Sequence, residues 1–205
     1  MSDLRAALGD GDPQKAQTMI EGGADLHYKR EHGYDALLDA VHGRDVARDP
    51  RLLELLALLA AHGVNLSGVS AYGESGLRVL SRLGRFDGVR LLLDAGADRS
   101  QLEWTPLMEA VALGSLADVQ AALGQGAVLE ARDWWERTAW LLALLAGDLA
   151  KASCCASGAR TRPHAGAAAA RRCSTRSRAI TPTSCAGCSR TARTFTTLTS
   201  SARQR

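Results

Sequence analysis

The chain has 205 residues and a formal net charge of +3, a small sum that joins two unlike segments. Residues 1–150 carry 14 Lys/Arg against 22 Asp/Glu, a net of 14 − 22 = −8, whereas residues 151–205 carry 11 Lys/Arg, no acid and all five cysteines. The first segment therefore has no disulfide framework and is expected to be a reduced, cytoplasmic domain. Met1-Ser2-Asp3-Leu4-Arg5 gives no basic-then-apolar secretory signal. The longest apolar run, Leu52 to Ala61, includes Glu54 and falls far short of the roughly 20 residues that cross a bilayer.

In chain order, the first unit runs from about Leu4 to Asp25, where Met19-Ile20-Glu21-Gly22 leads into Gly23-Ala24-Asp25. A second opens at Gly33-Tyr34-Asp35-Ala36-Leu37, with Asp35 as a helix cap. It is lengthened by Gly43 to Pro50 and closes at Gly63-Val64-Asn65. An insertion there is a loop on one face, equally open to a binding role and to a neutral one. The third begins at Tyr72-Gly73-Glu74-Ser75-Gly76-Leu77, and its Leu92-Leu93-Asp94-Ala95 leads into Gly96-Ala97-Asp98. In the fourth, Thr105 caps a helix with Pro106 in its first turn, and Gly114 ends it. A second helix follows over Asp118 to Leu123, and the unit stops at Gly126-Ala127-Val128. Asp133 and Arg137-Thr138-Ala139-Trp140 start a fifth. The closing phrases are 63 − 23 = 40, 96 − 63 = 33 and 126 − 96 = 30 residues apart, the spacing of a stacked repeat array.

Thr105-Pro106-Leu107 with Ala110, joined to the Gly96-Ala97-Asp98 phrase, resembles the ankyrin repeat, and the likeness extends over residues 1–150. The resemblance implies a bacterial-type ankyrin-repeat protein. Its expected fold is an all-α solenoid of helix-turn-helix pairs with short hairpin-like turns, about four repeats plus half of a fifth. The first unit lacks the Thr-Pro opening and stands as an amino-terminal cap. By the same resemblance the function is noncatalytic protein binding through the turn tips and the concave helical face. Arg30, Glu31, Tyr34, Tyr72, Glu74, Gln101, Glu103, Trp104, Trp134 and Trp135 fall at those tips. Exposed tryptophans are common hot spots, which makes Trp134 and Trp135 candidates, and packing of one of them near Trp104 is the competing reading.

After Lys151 the pattern stops, leaving the helix over Thr138 to Ala146 without its partner. Yet Ala-Arg-Thr at 159–161 returns at 192–194, and 192 − 159 = 33. Regrouped by one base, suitable codons for Ala-Arg-Thr read Gly-Ala-Asp, and Ser153-Cys154-Cys155 reads through Leu-Leu. Residues 151–205 are therefore expected to be a disordered tail translated out of the ancestral frame, by mutation or by sequencing error. The open fifth repeat is then prone to aggregate.

The tail also holds the chemistry most easily over-read. Cys185-Ala186-Gly187-Cys188 has half the spacing of a zinc or redox site, with no second pair beside it. The arginines at 160, 162, 171, 172, 176, 178, 190 and 193 suggest nucleic-acid binding, with Phe195 as the sole aromatic among them. Specific nucleic-acid recognition is not expected, nor a cofactor, a metal or catalysis. His27, His32, His42 and His62 are scattered, and no phosphate loop or nucleophile–base pair is present. The expected partner is a protein of unidentified kind, bound by a monomer. Two alternatives stand beside this: a truncated, nonfunctional remnant of a longer ankyrin protein, and an Arg-rich nucleic-acid binder.

Overall fold

A computed structural model describes residues 2–161 of the chain. Among them the fold is all-helical, and extended pairing is confined to an isolated bridge between Val69 and Ser75. Ten helices follow one another: α1 (Ser2–Gly9), α2 (Pro13–Glu21), α3 (Ala36–Val41), α4 (Leu52–Ala61), α5 (Gly76–Arg82), α6 (Phe86–Asp94), α7 (Pro106–Leu113), α8 (Leu116–Gly124), α9 (Ala139–Leu145) and α10 (Leu149–Thr161).

Each odd-numbered helix after α1 begins at a position the sequence marks. Asp35 accepts the Leu38 N–H at 2.9 Å, Ser75 that of Arg78 at 3.4 Å and Thr105 that of Met108 at 3.3 Å. Thr138 stands at the same place before α9 without a side-chain cap bond. Each cap satisfies an N–H that the first helical turn leaves without a partner.

The recurring Gly-Ala-Asp phrase is a helix stop joined to a turn. The glycines at 23, 63, 96 and 126 take φ between 74° and 98°, a left-handed conformation that a side chain disfavours. The next residue then sends its N–H back five positions, Ala24 to Met19, Val64 to Leu59, Ala97 to Leu92 and Ala127 to Ala122, which closes a Schellman motif. In three copies the third residue folds the chain again. Asp25, Asn65 and Asp98 accept the N–H two residues on, at 2.8, 3.2 and 2.9 Å. Val128 cannot, and it is exposed.

Consecutive helices pack in antiparallel-style pairs: α1 with α2, α3 with α4, α5 with α6, α7 with α8 and α9 with α10. The pairs also pack on one another, α1 on α3 on α5 and α2 on α4 on α6, then α6 on α7, α7 on α9 and α8 on α10. No single pair encloses its own apolar face. Leu37, Leu38, Leu55, Leu56, Leu59, Leu77, Leu80, Leu92 and Leu107 are buried in one continuous core.

Link lengths explain the uneven repeat spacing. Links within a pair are two or three residues, apart from residues 42–51, which number ten. That seven-residue excess accounts for the 76 − 36 = 40 residues between the starts of α3 and α5, which is 33 + 7. The insertion lies against the neighbouring turns. Val46 is buried, the Arg44 N–H reaches Gly9 O at 2.8 Å, and Arg85 donates to Val46 O and Asp49 O at 2.8 and 2.9 Å. Links between pairs, residues 22–35, 62–75, 95–105 and 125–138, measure 14, 14, 11 and 14. The third is three residues short, and it winds into a 3-10 turn at Arg99–Leu102 packed on α5.

The sequence reading left α9 without a partner, and this is corrected: α10 crosses the expected boundary at residue 150 and packs on α8 and α9. It does so with small residues. Ala152 and Cys155 are buried three apart, and Gly158 lies three further on, close enough to Leu123 that a Cβ there would approach it to 3.1 Å. Lys151 fixes the helix by donating to Val111 O and Gly114 O at 2.9 and 2.8 Å. The expectations made for residues 162–205, including the Cys185/Cys188 pair and nearly all of the tail arginines, lie outside the described residues.

Candidate functional site

The three fourteen-residue links project as fingers of one design. Arg30 N–H bonds Tyr34 O at 2.7 Å, Ser70 N–H bonds Glu74 O at 2.8 Å, and Asp133 N–H bonds Arg137 O at 3.0 Å. Each closes a five-residue loop, and each needs a left-handed residue to do so: His32 and Gly33, Gly73, and Glu136. The eleven-residue link has no such closure. Its Glu103 is left-handed at φ 54°, but its bond runs only from Glu103 N–H to Ser100 O.

Consequently the finger at 133–137 reaches past the short link to its neighbour but one. Trp134 sits over Gly73, where an added Cβ would come within 3.0 Å of the indole. The Arg78 guanidinium lies 4.3 Å from the Trp134 ring centre and Arg82 4.9 Å from that of Trp135, within cation–π range. Trp135 donates its indole N–H to Arg78 O at 2.8 Å. Arg137 donates to Ser81 O and Ser81 Oγ at 3.0 and 2.6 Å while pairing with Asp133 at 2.7 Å. Leu145 of α9 abuts Gly84, at the end of α5. The other two fingers join directly: Ala71 N–H bonds His32 O at 2.7 Å, and the His32 and Tyr72 rings are 5.2 Å apart.

Beneath the fingers runs a band of paired charge. Asp39 receives Tyr28 Oη at 2.7 Å, pairs with Arg30 and lies 3.6 Å from Arg5. Glu74 accepts from Tyr34 Oη at 3.2 Å and Arg82 at 3.0 Å, and faces His42 Nε2 at 3.2 Å. Desolvation together with the Glu74 charge raises the Tyr34 phenol above its ordinary pKa, and burial lowers the Arg78 guanidinium. These groups hold one another and offer no nucleophile with a base; they fix where the finger tips point.

The ten residues that sequence assigns to tips therefore divide. Glu31, Tyr72 and Glu103 face solvent, Tyr72 with 61% of its surface exposed. Arg30, Tyr34 and Glu74 are half-buried members of the charged band. Trp134 and Trp135 are half-buried against α5 and each other, with ring centres 4.6 Å apart, so the packing partner is Arg78 and Arg82. Trp104 lies half-buried with its ring 6.0 Å from Phe86. Gln101 is a correction: it is buried, donating Nε2 to Ser67 O at 2.9 Å, because the short link pulls it inward. Sequence reasoning passed over Arg78, Arg82, Arg137 and Asp39. Arg78 and Arg82 are four apart on α5, a spacing that places both on one helix face.

Among the described residues no helix is long and apolar enough to cross a membrane. No protein-family profile matches the chain, and neither does any curated protein. Among solved structures, a chain from the complex of a Bdellovibrio bacteriovorus predatory endopeptidase with an immunity protein is similar at 19% identity. The match covers 77% of this chain and 98% of that one, with a TM-score of 0.46.

Proposed function

We propose that this chain is an ankyrin-type repeat solenoid that binds a protein partner without catalysis, through its finger tips and the concave helical face beside them. The observation that carries the reading is the row of three fingers locked together at His32–Ala71 and Gly73–Trp134, with Tyr72, Val69, Glu31 and Glu103 left facing solvent. A row with exposed aromatic and acidic groups on a bonded backbone suits recognition, because the backbone is already ordered before a partner binds. The repeating grammar of cap, helix, stop and turn supports the family resemblance. The test is affinity capture with the full chain against Tyr72→Ala. A partner retained by the first and weakened about tenfold or more by the second supports the reading. Equal retention by both contradicts it.

A second reading is that the product is the remnant of a longer array, with residues after about 151 read in a shifted frame. It is favoured by α9, whose Trp140, Leu141, Leu144 and Leu145 are each at least 40% exposed. It is also favoured by the small residues that pack α10: Ala152 stands 152 − 119 = 33 positions after buried Val119. Resequencing codons 145–160 decides it. Restoration of repeat residues by one or two bases supports the shift, and an unchanged frame removes it. Binding of nucleic acid by the arginines of the tail is the third reading, and salt-sensitive DNA retention by the full chain is its test.

A further inference from the structure

The last helix pair leaves open a face that the earlier pairs have covered. The residue two after the cap is Leu37 in α3, Leu77 in α5 and Leu107 in α7, all buried, but in α9 it is Trp140, 43% exposed. The residue six after the cap is Val41, Ser81 and Val111, again buried, but in α9 it is Leu144, 40% exposed. In the earlier pairs the next part of the chain lies on these positions: α5 on α3, the turn at Arg99–Leu102 on α5, and α9 on α7. A Cβ on Gly76, the first residue of α5, would come within 2.7 Å of the Leu37 side chain. No such neighbour covers α9 among the described residues, and Leu141 and Leu149 extend its open face.

The chemistry of this face restricts what can cover it. Residues 138–147 carry no charge. Beyond them, Asp148 accepts the Lys151 N–H at 3.0 Å, and Lys151 Nζ is spent on Val111 O and Gly114 O. The open apolar area is on the order of 500 Å², the size at which a patch marks association and not scattered exposure. Residues 162–205 are a poor match, with Ile180, Phe195 and Leu198 as their large apolar side chains among nine arginines. The first end of the stack is no better: among the described residues, none of the exposed large apolar side chains lies on α1 or α2. The same face on another copy does match. Being uncharged, it sets no like charges against each other when it meets itself, and a two-fold contact closes after one step.

We infer that two copies of this chain join as a closed two-fold dimer, in place of the monomer expected from sequence, with α9 against α9 across Trp140, Leu141 and Leu144. Two such faces bury about 1,000 Å², the lower bound of a specific interface, so the dimer is weak. Trp140 is its anchor, since a large ring at the centre of a contact contributes most. Tyr72 lies outside the face, so the dimer and the finger reading fail separately.

The experiment is sedimentation velocity of the full chain under reducing conditions, which remove disulfides between cysteines as a source of dimer. It spans about 1–200 µM protein, in about 0.1 M and about 1 M sodium chloride. The face predicts one reversible step from 21.7 kDa to twice that mass, with no larger species. A dissociation constant of about 1–100 µM is expected, not weakened by salt because the face holds no charge. Leu144→Glu weakens the dimer about tenfold or more. Leu149→Glu does the same, at a side chain 74% exposed that contributes little to the fold. Mixing Leu144→Glu with Leu144→Lys restores the dimer that each alone has lost, and Tyr72→Ala leaves it unchanged. Circular dichroism confirms that each variant keeps its helices. A monomer throughout, or a dimer untouched by both Glu variants, overturns the inference. So do species growing beyond the dimer, which indicate head-to-tail stacking, and a dimer lost at high salt, which indicates the basic tail of one copy on the acidic body of another.

Discussion

Asp35 does two things that oppose each other. It caps α3, and it does so while buried, which raises its carboxyl above the ordinary value because the charged form loses water. An Asn keeps the cap acceptor without the charge. Asp35→Asn is therefore expected to match or exceed wild-type stability at pH 7, whereas Asp35→Ala loses about 1 kcal/mol. Urea titration distinguishes them, and equal losses in both variants contradict this account. Gly68 is part of the same arrangement, because a Cβ there would lie 2.0 Å from the Asp35 carboxylate.

Other carboxylates act in the opposite sense. Asp12 is held below its ordinary pKa by the Lys15 N–H, Asp49 by Arg51, Asp87 by Arg85, Asp98 by Ser100 and Asp118 by the Ser115 N–H. A carboxyl depressed in the folded state stabilises it above the unfolded pKa, near 4, and loses that contribution as pH falls through the folded value. Asp35, being raised, gains instead on acidification. With five groups against one, the melting temperature is expected to fall as pH drops from 5 to 3. A melting temperature that is flat or rising over that interval contradicts the assignment.

At the scale of elements, the local grammar was legible because each signal sits within a few contiguous residues. Asp35, Ser75 and Thr105 before a helix, and Gly-Ala-Asp after one, act on backbone groups next to them. The consequence of the short link was not legible. Sequence shows the interval of 30, but only packing shows that losing three residues draws Gln101 inward and brings Trp134, Trp135 and Arg137 onto α5. The helix α10 was missed for a related reason. Its Ala, Ser and Cys residues lack an apolar period, so its helicity depends on α8 and α9 beneath it. The 133–137 finger is then the fastening between the last two helix pairs and α5. Arg137→Met leaves the Asp133 side chain, 1% exposed, as an unpaired buried charge. A loss of about 3–5 kcal/mol is expected, and Arg137→Met with Asp133→Asn recovers part of it. Calorimetry reads this directly, and a loss below about 1 kcal/mol contradicts a fastening role.

For the whole molecule, the two ends of the stack differ in kind. The first end buries Leu4, Ala7 and Leu8 of α1 and pairs its charges, Arg5 and Arg30 with Asp39, whereas the α9 side carries exposed apolar residues, Trp140 and Leu144 among them, each near 40% exposed. More than half of each side chain is nevertheless covered, so Trp140→Gln with Leu144→Gln is expected to lower the unfolding free energy by about 1–3 kcal/mol. The same pair is expected to lower self-association in sedimentation. Unchanged association contradicts an open face.

The central claim is that the finger row meets a protein partner. It is tested most directly by placing a photo-cross-linking amino acid at Tyr72 and, separately, at exposed Ala57 on α4, in cells expressing the full chain. The account predicts a discrete cross-linked protein from position 72 that is absent from position 57. The same products from both positions, or none from position 72, would contradict it.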